Sequence, residues 1–246
     1  RVAFAAGADW LDFPTEDFTI MDAGGKVALG RSHYSVEYAS DRAILHGENR
    51  YQNGDYDIER AVLIPQPGGL DVPARVVEFS HHYFNPGGAL LRSGTADFTT
   101  GYAVCRSVTP SHNEDQALML SIPPNTWSGA SVAIPLRHMA GGGSGSYHLH
   151  VFACAPGPKI MDVDVSIGNE TKLWHAGNVE GIKADLTPDF GLFSVFAEPF
   201  APKIHFWFDP TDRMNLEGAL LPRYYRGPEI MLVKPGDPAS PGPGKP

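Results

Sequence analysis

The strongest sign of chemistry in the sequence is a pair of histidines, His148 and His150, separated by one residue. On a β-strand, residues two apart point to the same side, and two adjacent imidazoles are a common arrangement of metal ligands. A metal site would need a third ligand, and the histidines that could supply it are His81, His82, His138 and His175. The alternative is a pair of exposed or hydrogen-bonded histidines on a solvated strand face. A metal at His148 and His150 is the only cofactor that the sequence suggests.

Other residue patterns do not assemble a catalytic site. Ser144 lies among glycines, but no G-x-S-x-G motif surrounds it. Cys105 could act as a nucleophile only if it were unpaired and close to a histidine. Asp162 and Asp164 share one face of a predicted strand, which is typical of a solvated face opposite apolar residues. The sequence therefore assigns no catalytic residue and favours a protein that is not an enzyme.

The chain contains two cysteines, Cys105 and Cys154. Both lie near the ends of predicted strands, where a bridge could join two parts of the chain. Their spacing is not C-x-x-C, which argues against redox catalysis and against a cysteine zinc site. We predict that they form a disulfide, and two buried free thiols are the alternative.

Alternating apolar residues and frequent turn residues predict an all-β fold with little helix. In the segment 27–38, Tyr34, Val36 and Tyr38 fall on one face. Asn53-Gly54-Asp55 is a strong hairpin signal because such turns require positive φ. Strands recur roughly every 12 to 15 residues, which predicts a large antiparallel meander that forms a barrel, a half-barrel or a sandwich.

We predict one β domain over residues 1–233, followed by a Pro/Gly-rich tail over 234–246. The segment 123–140 is either one helix, which Pro135 would kink, or a loop with a short helix. A glycine-rich loop is predicted near 141–146.

Aromatic residues cluster near the C-terminal end of the domain and could line an apolar pocket beneath the helical segment. Ordinary core packing is the alternative. The residues predicted to bind a ligand are Trp127, Ile134 and Met139 in the covering segment, and Phe193, Phe196, Phe206 and Phe208 in the wall.

The net charge of −9 argues against nucleic acid as a partner. The sequence has no apolar run of about 18 residues, so no membrane span is predicted. It begins with Arg1 rather than Met, which would fit a removed signal peptide and an exported, periplasmic or extracellular protein.

Three segments carry a resemblance to a known group: Asp22 to Gly30, Tyr51 to Asp57 and Tyr225 to Val233. They resemble exported bacterial β-rich proteins of unassigned function that are similar to periplasmic lipid-carrier half-barrels. The resemblance implies a curved antiparallel sheet around an apolar cavity, closed by a helical lid. It carries no catalytic residue.

The sequence thus favours an exported, non-enzymatic protein that binds an apolar small molecule or serves a cell-envelope assembly. One alternative is a structural or accessory subunit of a larger complex with protein partners. A second alternative is a metal-dependent enzyme on a β-barrel that uses His148 and His150.

Overall fold

The computed structural model describes residues 11, 13–66, 72, 74–109, 112–174, 177–189, 204–211 and 215–235. Within these residues, fifteen strands form a single sheet, and every pairing except β9 with β10 is antiparallel. The strands are β1 (Glu16–Asp22), β2 (Ala28–Tyr38), β3 (Ala43–Tyr51), β4 (Tyr56–Pro65), β5 (Ala74–Phe84), β6 (Leu90–Asp97), β7 (Tyr102–Thr109), β8 (His112–Met119), β9 (Thr126–Trp127), β10 (Gly145–Cys154), β11 (Pro158–Trp174), β12 (Gly177–Pro188), β13 (Ile204–Phe208), β14 (Leu216–Pro222) and β15 (Glu229–Val233). The predicted all-β antiparallel meander is confirmed.

Two meanders make up the sheet, and they meet where the first and last strands pair. The strand order runs from β8 back to β1, then from β15 back to β9. Thr19 to Asp22 of β1 pair with Val233 to Ile230 of β15. Across the described ranges the sheet does not close on itself, because β8 and β9 lie at its two ends.

Tight turns account for the hairpins of the first meander. Gly54, in the predicted turn between β3 and β4, has φ of 86°, and Gly88, between β5 and β6, has φ of 79°. Glycine adopts these angles without the clash that a Cβ would introduce. The turn residues therefore fix which strands become neighbours.

The two halves of the sheet also meet across its curved interior. The predicted disulfide is present and joins Cys105 on β7 to Cys154 on β10, with their Cα atoms 5.6 Å apart. Phe152 on β10 packs edge-on against Phe79 and Phe98, at ring-centroid distances of 6.0 Å in both cases. Strands that are distant in sheet order are thus held together by a covalent bond and by apolar packing.

The predicted helical segment is a short 3-10 helix, Gly129–Val132, that continues into the α-helix α1, Ala133–Gly142. Pro135 lies in the first turn of α1, where a backbone N–H has no intrahelical partner, so a proline is tolerated there. Because α1 runs through Gly142 and β10 begins at Gly145, the predicted glycine-rich loop is shorter than 141–146.

A single large core fills the described part of the molecule. Ile134 of α1 and both Phe206 and Phe208 of β13 are buried in it. Trp207, between the two phenylalanines, belongs to a smaller cluster on the opposite face of the sheet with Met21, Met231 and Val233. Phe193, Phe196 and the predicted tail beyond Pro235 lie outside the described residues.

Candidate functional site

The sheet carries a cluster of polar and ionisable side chains on the inner face of β2 to β5. The register pairs Asp57 of β4 with Tyr83 of β5, and Glu59 with His81. Since alternate residues of a strand share a face, these four side chains form one group. Asp57, with only 1 % of its side chain exposed, is the most deeply buried of them. We call these four residues the inner polar cluster.

His81 is the centre of the inner polar cluster. Its Nε2 lies 2.8 Å from Asp57 Oδ1, and its Nδ1 lies 3.1 Å from the Tyr83 hydroxyl. The Tyr83 hydroxyl donates its proton to the carbonyl of Arg223 at 2.9 Å, so its oxygen accepts from His81. Both ring nitrogens of His81 therefore donate, which is the pattern of an imidazolium.

The electrostatic surroundings of His81 agree with this assignment. Burial acts to lower the pKa of His81, but the hydrogen bond and charge of Asp57, together with the charge of Glu59, raise it overall. Glu59 Oε2 lies 3.6 Å from His81 Nδ1. Two buried carboxylates thus hold one positive charge between them.

Glu59 also connects the inner polar cluster to the helical segment. Its Oε1 accepts a hydrogen bond from the backbone N–H of Ala130 at 2.6 Å, in the 3-10 helix. Gly129 lies against the same carboxylate with φ of 53°, at a point where a Cβ would collide with it. Burial raises the pKa of Glu59, while the charge of His81 and the Ala130 N–H lower it.

Several buried polar atoms in and beside the inner polar cluster lack a hydrogen bond of good geometry in the described part of the chain, and these atoms are Ser32 Oγ, Asn49 Oδ1, Tyr51 Oη, Asp57 Oδ2 and Arg223 Nε. Polar groups still lie near most of them, since the Tyr34 hydroxyl is close to Ser32 and Asn49, and the Tyr51 hydroxyl is close to Asp57. Burial and the charge of Asp57 raise the pKa of Tyr51, which keeps that hydroxyl neutral. Such a concentration of donors and acceptors is typical of a place that holds water or the polar part of a ligand.

A pocket of about 360 Å³ lies between α1 and β10. The residues that line it are Val72, Asn125, Trp127, Pro135, His138, Met139, Gly142, Tyr147, His148 and Leu149. Two of the predicted ligand-binding residues, Trp127 and Met139, are among them. Ile134, Phe206 and Phe208 do not line it and are buried in the large core.

Two features of the pocket lining are unusual. Trp127 is 1 % exposed, and its indole nitrogen has no hydrogen-bond partner among the described residues. Asn125 has φ of 60°, in the left-handed region that costs energy for any residue with a Cβ. An unpaired indole N–H and a strained backbone in one pocket are both common at ligand sites.

His148 and His150 lie together on one face of β10, as predicted. The third donor beside them is Asp162 of β11 rather than one of the predicted histidines. Asp162 Oδ1 lies 2.7 Å from His150 Nδ1 and 3.6 Å from His148 Nε2. A carboxylate supplies the third position because the antiparallel register pairs His150 with Asp162.

None of the histidines proposed as third ligands belongs to this group of three donors among the described residues, although His138 lines the same pocket as His148. His81 is in the inner polar cluster, and His138 lines the pocket. His82, on the opposite face of β5 from His81, has its ring centroid 6.3 Å from that of Phe84. His175 lies outside the described residues.

The inner polar cluster was not anticipated from the sequence. On β4, Tyr56, Ile58, Val62 and Ile64 give the conspicuous alternation, yet the structure buries Asp57 and Glu59 and leaves Ile58 exposed. A sequence signal could have revealed the cluster. Each strand of one hairpin carries two polar residues two positions apart, Asp57 and Glu59 on β4 and His81 and Tyr83 on β5.

No protein-family model, curated protein or solved structure matches the chain. Among the described residues, no helix has the length and hydropathy that a membrane span requires.

Proposed function

We propose that the protein binds a small, largely apolar molecule in the pocket between α1 and β10, as an exported carrier. The observation that supports this most strongly is the pocket itself, which Trp127, Met139 and Leu149 line together with a few polar residues. The indole nitrogen of Trp127 is buried and has no partner among the described residues. Its volume of about 360 Å³ is within the usual range of ligand sites, about 300 to 1,000 Å³. The Cys105–Cys154 disulfide fits an oxidising, extracytoplasmic setting.

The chemistry of the lining indicates what the ligand carries. Met139, Leu149 and Pro135 offer an apolar surface, which favours a hydrocarbon or aromatic body. The Trp127 N–H can only donate a hydrogen bond. Asn125, His138 and His148 add further polar groups to the lining. We therefore expect a ligand with an apolar body and at least one acceptor, such as a carbonyl, ether or carboxylate oxygen.

The α1 wall of the pocket is anchored to the sheet at the start and in the middle of the helical segment. Glu59 binds Ala130 at its start, and Arg137 forms a buried ion pair with Glu16 of β1. Each anchor includes a buried charged side chain. Separating that side chain from its partner would leave a buried charge unpaired, which costs free energy. We infer that the pocket is largely preformed rather than opened by unfolding of α1.

Fluorescence titration with two apolar probes tests this proposal, one probe carrying a carbonyl group and the other a hydrocarbon of similar size. We expect micromolar binding of the carbonyl probe and a several-fold loss in Trp127→Phe, which keeps the aromatic ring and removes the N–H. The hydrocarbon probe should bind both proteins alike. Trp207→Phe is the matched control, because Trp207 belongs to the small cluster away from the pocket. Equal affinities of the carbonyl probe for the wild type, Trp127→Phe and Trp207→Phe would contradict the proposal.

A second candidate function is membership of a larger assembly through the β8 edge of the sheet. This edge has no strand beyond it among the described residues, and Met119 at its end is 68 % exposed. Tyr102 and Leu118 nearby are also exposed. Unpaired edges with apolar side chains are templates for strand addition. Cross-linking that captures a partner with the wild type but not with Met119→Lys would favour this role.

A further inference from the structure

The hairpin of β10 and β11 brings two histidines and two aspartates onto one face. The register pairs His148 with Asp164 and His150 with Asp162. Leu149, between the two histidines, is buried on the opposite face. The four polar side chains therefore form a compact square on adjacent strands, which we call the hairpin quartet.

The distances within the hairpin quartet are close to those of a metal site. His150 Nδ1 and His148 Nε2 lie 2.7 and 3.6 Å from the same oxygen of Asp162, and His148 Nδ1 lies 3.1 Å from Asp164. A tetrahedral zinc ion with bonds of about 2.0 to 2.1 Å holds its ligand atoms about 3.3 Å apart. Small rotations of these exposed side chains would bring the donors onto one ion.

The hairpin quartet differs from the other histidine–carboxylate pairs on the surface. His33 with Asp17, at 2.8 Å, and His46 with Glu37, at 3.8 Å, each bring one imidazole to one carboxylate. Across the described ranges, His148, His150 and Asp162 are the one group of three donors close enough to share an ion. An ion pair between one imidazole and one carboxylate explains the isolated pairs. It does not explain why two imidazoles in the hairpin quartet lie near the same carboxylate oxygen.

We propose that His148, His150 and Asp162 bind a divalent transition-metal ion of the Zn²⁺ class, with Asp164 orienting His148 through its other ring nitrogen. Two imidazole nitrogens favour Zn²⁺, Cu²⁺ or Ni²⁺ over Ca²⁺ and Mg²⁺, which prefer oxygen ligands. His148 also lines the pocket between α1 and β10. The ion would therefore lie at the rim of that pocket, although the site does not depend on the carrier function.

The test is isothermal titration of untagged, chelator-treated protein with Zn²⁺, together with Co²⁺ absorption spectroscopy. We expect one ion per chain and a visible Co²⁺ spectrum of four-coordinate type. His150→Gln should weaken Zn²⁺ binding by more than about tenfold, because removal of a direct ligand costs at least as much as loss of an outer contact. Binding should also weaken as the pH is lowered, since imidazole must lose its proton to bind.

Two controls distinguish this site from unspecific binding. His33→Gln removes an exposed histidine from a pair with a single carboxylate and should leave Zn²⁺ affinity unchanged. Asp162→Asn keeps the shape of the third ligand, removes its charge and should weaken binding. The proposal is overturned if the wild type binds no stoichiometric Zn²⁺ below about 100 µM. Equal weakening by His33→Gln and His150→Gln would overturn it as well.

Discussion

The inner polar cluster shows how burial and pairing compete at a single side chain. Burial alone would make His81 neutral, because a buried charge loses its hydration. Asp57 and Glu59 reverse that preference, and Tyr83 accepts the second ring N–H. The cost of burying these charges is offset only while all the members are present. This group is therefore sensitive to single substitutions.

We predict that Asp57→Asn inverts the titration behaviour of His81. In the wild type, the pKa of His81 is raised, so its stabilising contribution is full below about pH 6.5 and is lost as the pH rises through the folded-state pKa. Burial is already the largest single influence on the pKa of His81 and lowers it, so without the charge of Asp57 this pKa falls. NMR titration of the His81 imidazole measures this directly, and a His81→Gln spectrum assigns the signal. An unchanged midpoint in Asp57→Asn would show that Asp57 does not hold the charge.

The buried pair of Glu16 and Arg137 gives a second prediction at this scale. Arg137→Met should destabilise the fold by about 3 to 5 kcal/mol, because Glu16 would remain buried without its partner. Burial already raises the pKa of Glu16, and loss of the Arg137 charge would raise it further. A carboxyl whose pKa is raised in the folded state destabilises the fold once it ionises. The stability lost in Arg137→Met should therefore be smaller at pH 5 than at pH 8.

Urea denaturation at the two pH values measures that difference. The double variant Glu16→Gln/Arg137→Met is the control, because the glutamine side chain carries no charge and can still accept the Leu216 N–H. This double variant should recover much of the stability that Arg137→Met alone loses at pH 8. A double variant as unstable as Arg137→Met alone would assign the loss to packing, for instance of Arg137 over the Phe13 ring.

At the scale of elements, the alternation of the first meander was predictable, whereas β1 and the polar edge strand β8 were not. The segment predicted over 27–38 is β2, and the predicted turn at Asn53-Gly54-Asp55 joins β3 to β4. The polar strand β8 escaped prediction because it is an edge strand with no buried face to impose alternation. In β14, Gly218 and the terminal Pro222 obscure the pattern, although Leu216 and Ala219 are buried.

The disulfide gives a prediction at the element scale, because it ties β7 to β10 across the interior. It closes a loop of 49 residues, which should stabilise the fold by about 4 kcal/mol through the entropy of the unfolded chain. Cys105→Ala/Cys154→Ala should therefore lower the free energy of unfolding by about that amount under non-reducing conditions. Adding a reductant should destabilise the wild type and leave the double variant unchanged.

A substitution at Gly94 separates the cross-link from the packing around it. A Cβ at Gly94 would lie 2.7 Å from the Cys154 sulfur, which the disulfide holds in place. Gly94→Ala should therefore cost more in the wild type than in the double cysteine variant. Equal costs would contradict a tightly packed bridge at this position.

For the whole molecule, the sequence predicts a curved antiparallel meander but not how its ends meet. The pairing of β1 with β15 joins residues at opposite ends of the domain, and local patterns carry no information on such a contact. The position of the helical segment was equally inaccessible, since it depends on Ala130 and Arg137 finding their partners, Glu59 and Glu16, on remote strands. Phe206 and Phe208, which were predicted to wall an apolar cavity, are buried in the large core, and the other two predicted wall residues, Phe193 and Phe196, lie outside the described residues.

The last prediction compares a residue of the buried core with a residue of the pocket beside α1. Phe208 is fully buried in the large core, so Phe208→Ala should cost about 3 to 5 kcal/mol of stability through lost burial and the cavity left behind. The affinity of Phe208→Ala for the carbonyl probe, measured under conditions in which the variant is still folded, should equal that of the wild type. Met139 is partly exposed and lines the pocket, so Met139→Ala should cost under about 2 kcal/mol and should weaken probe binding. Denaturant titration and probe fluorescence on the same samples separate the two effects. If Phe208→Ala were nearly neutral for stability and abolished probe binding, the ligand site would lie in the interior of the sheet, and the pocket beside α1 would lose its role.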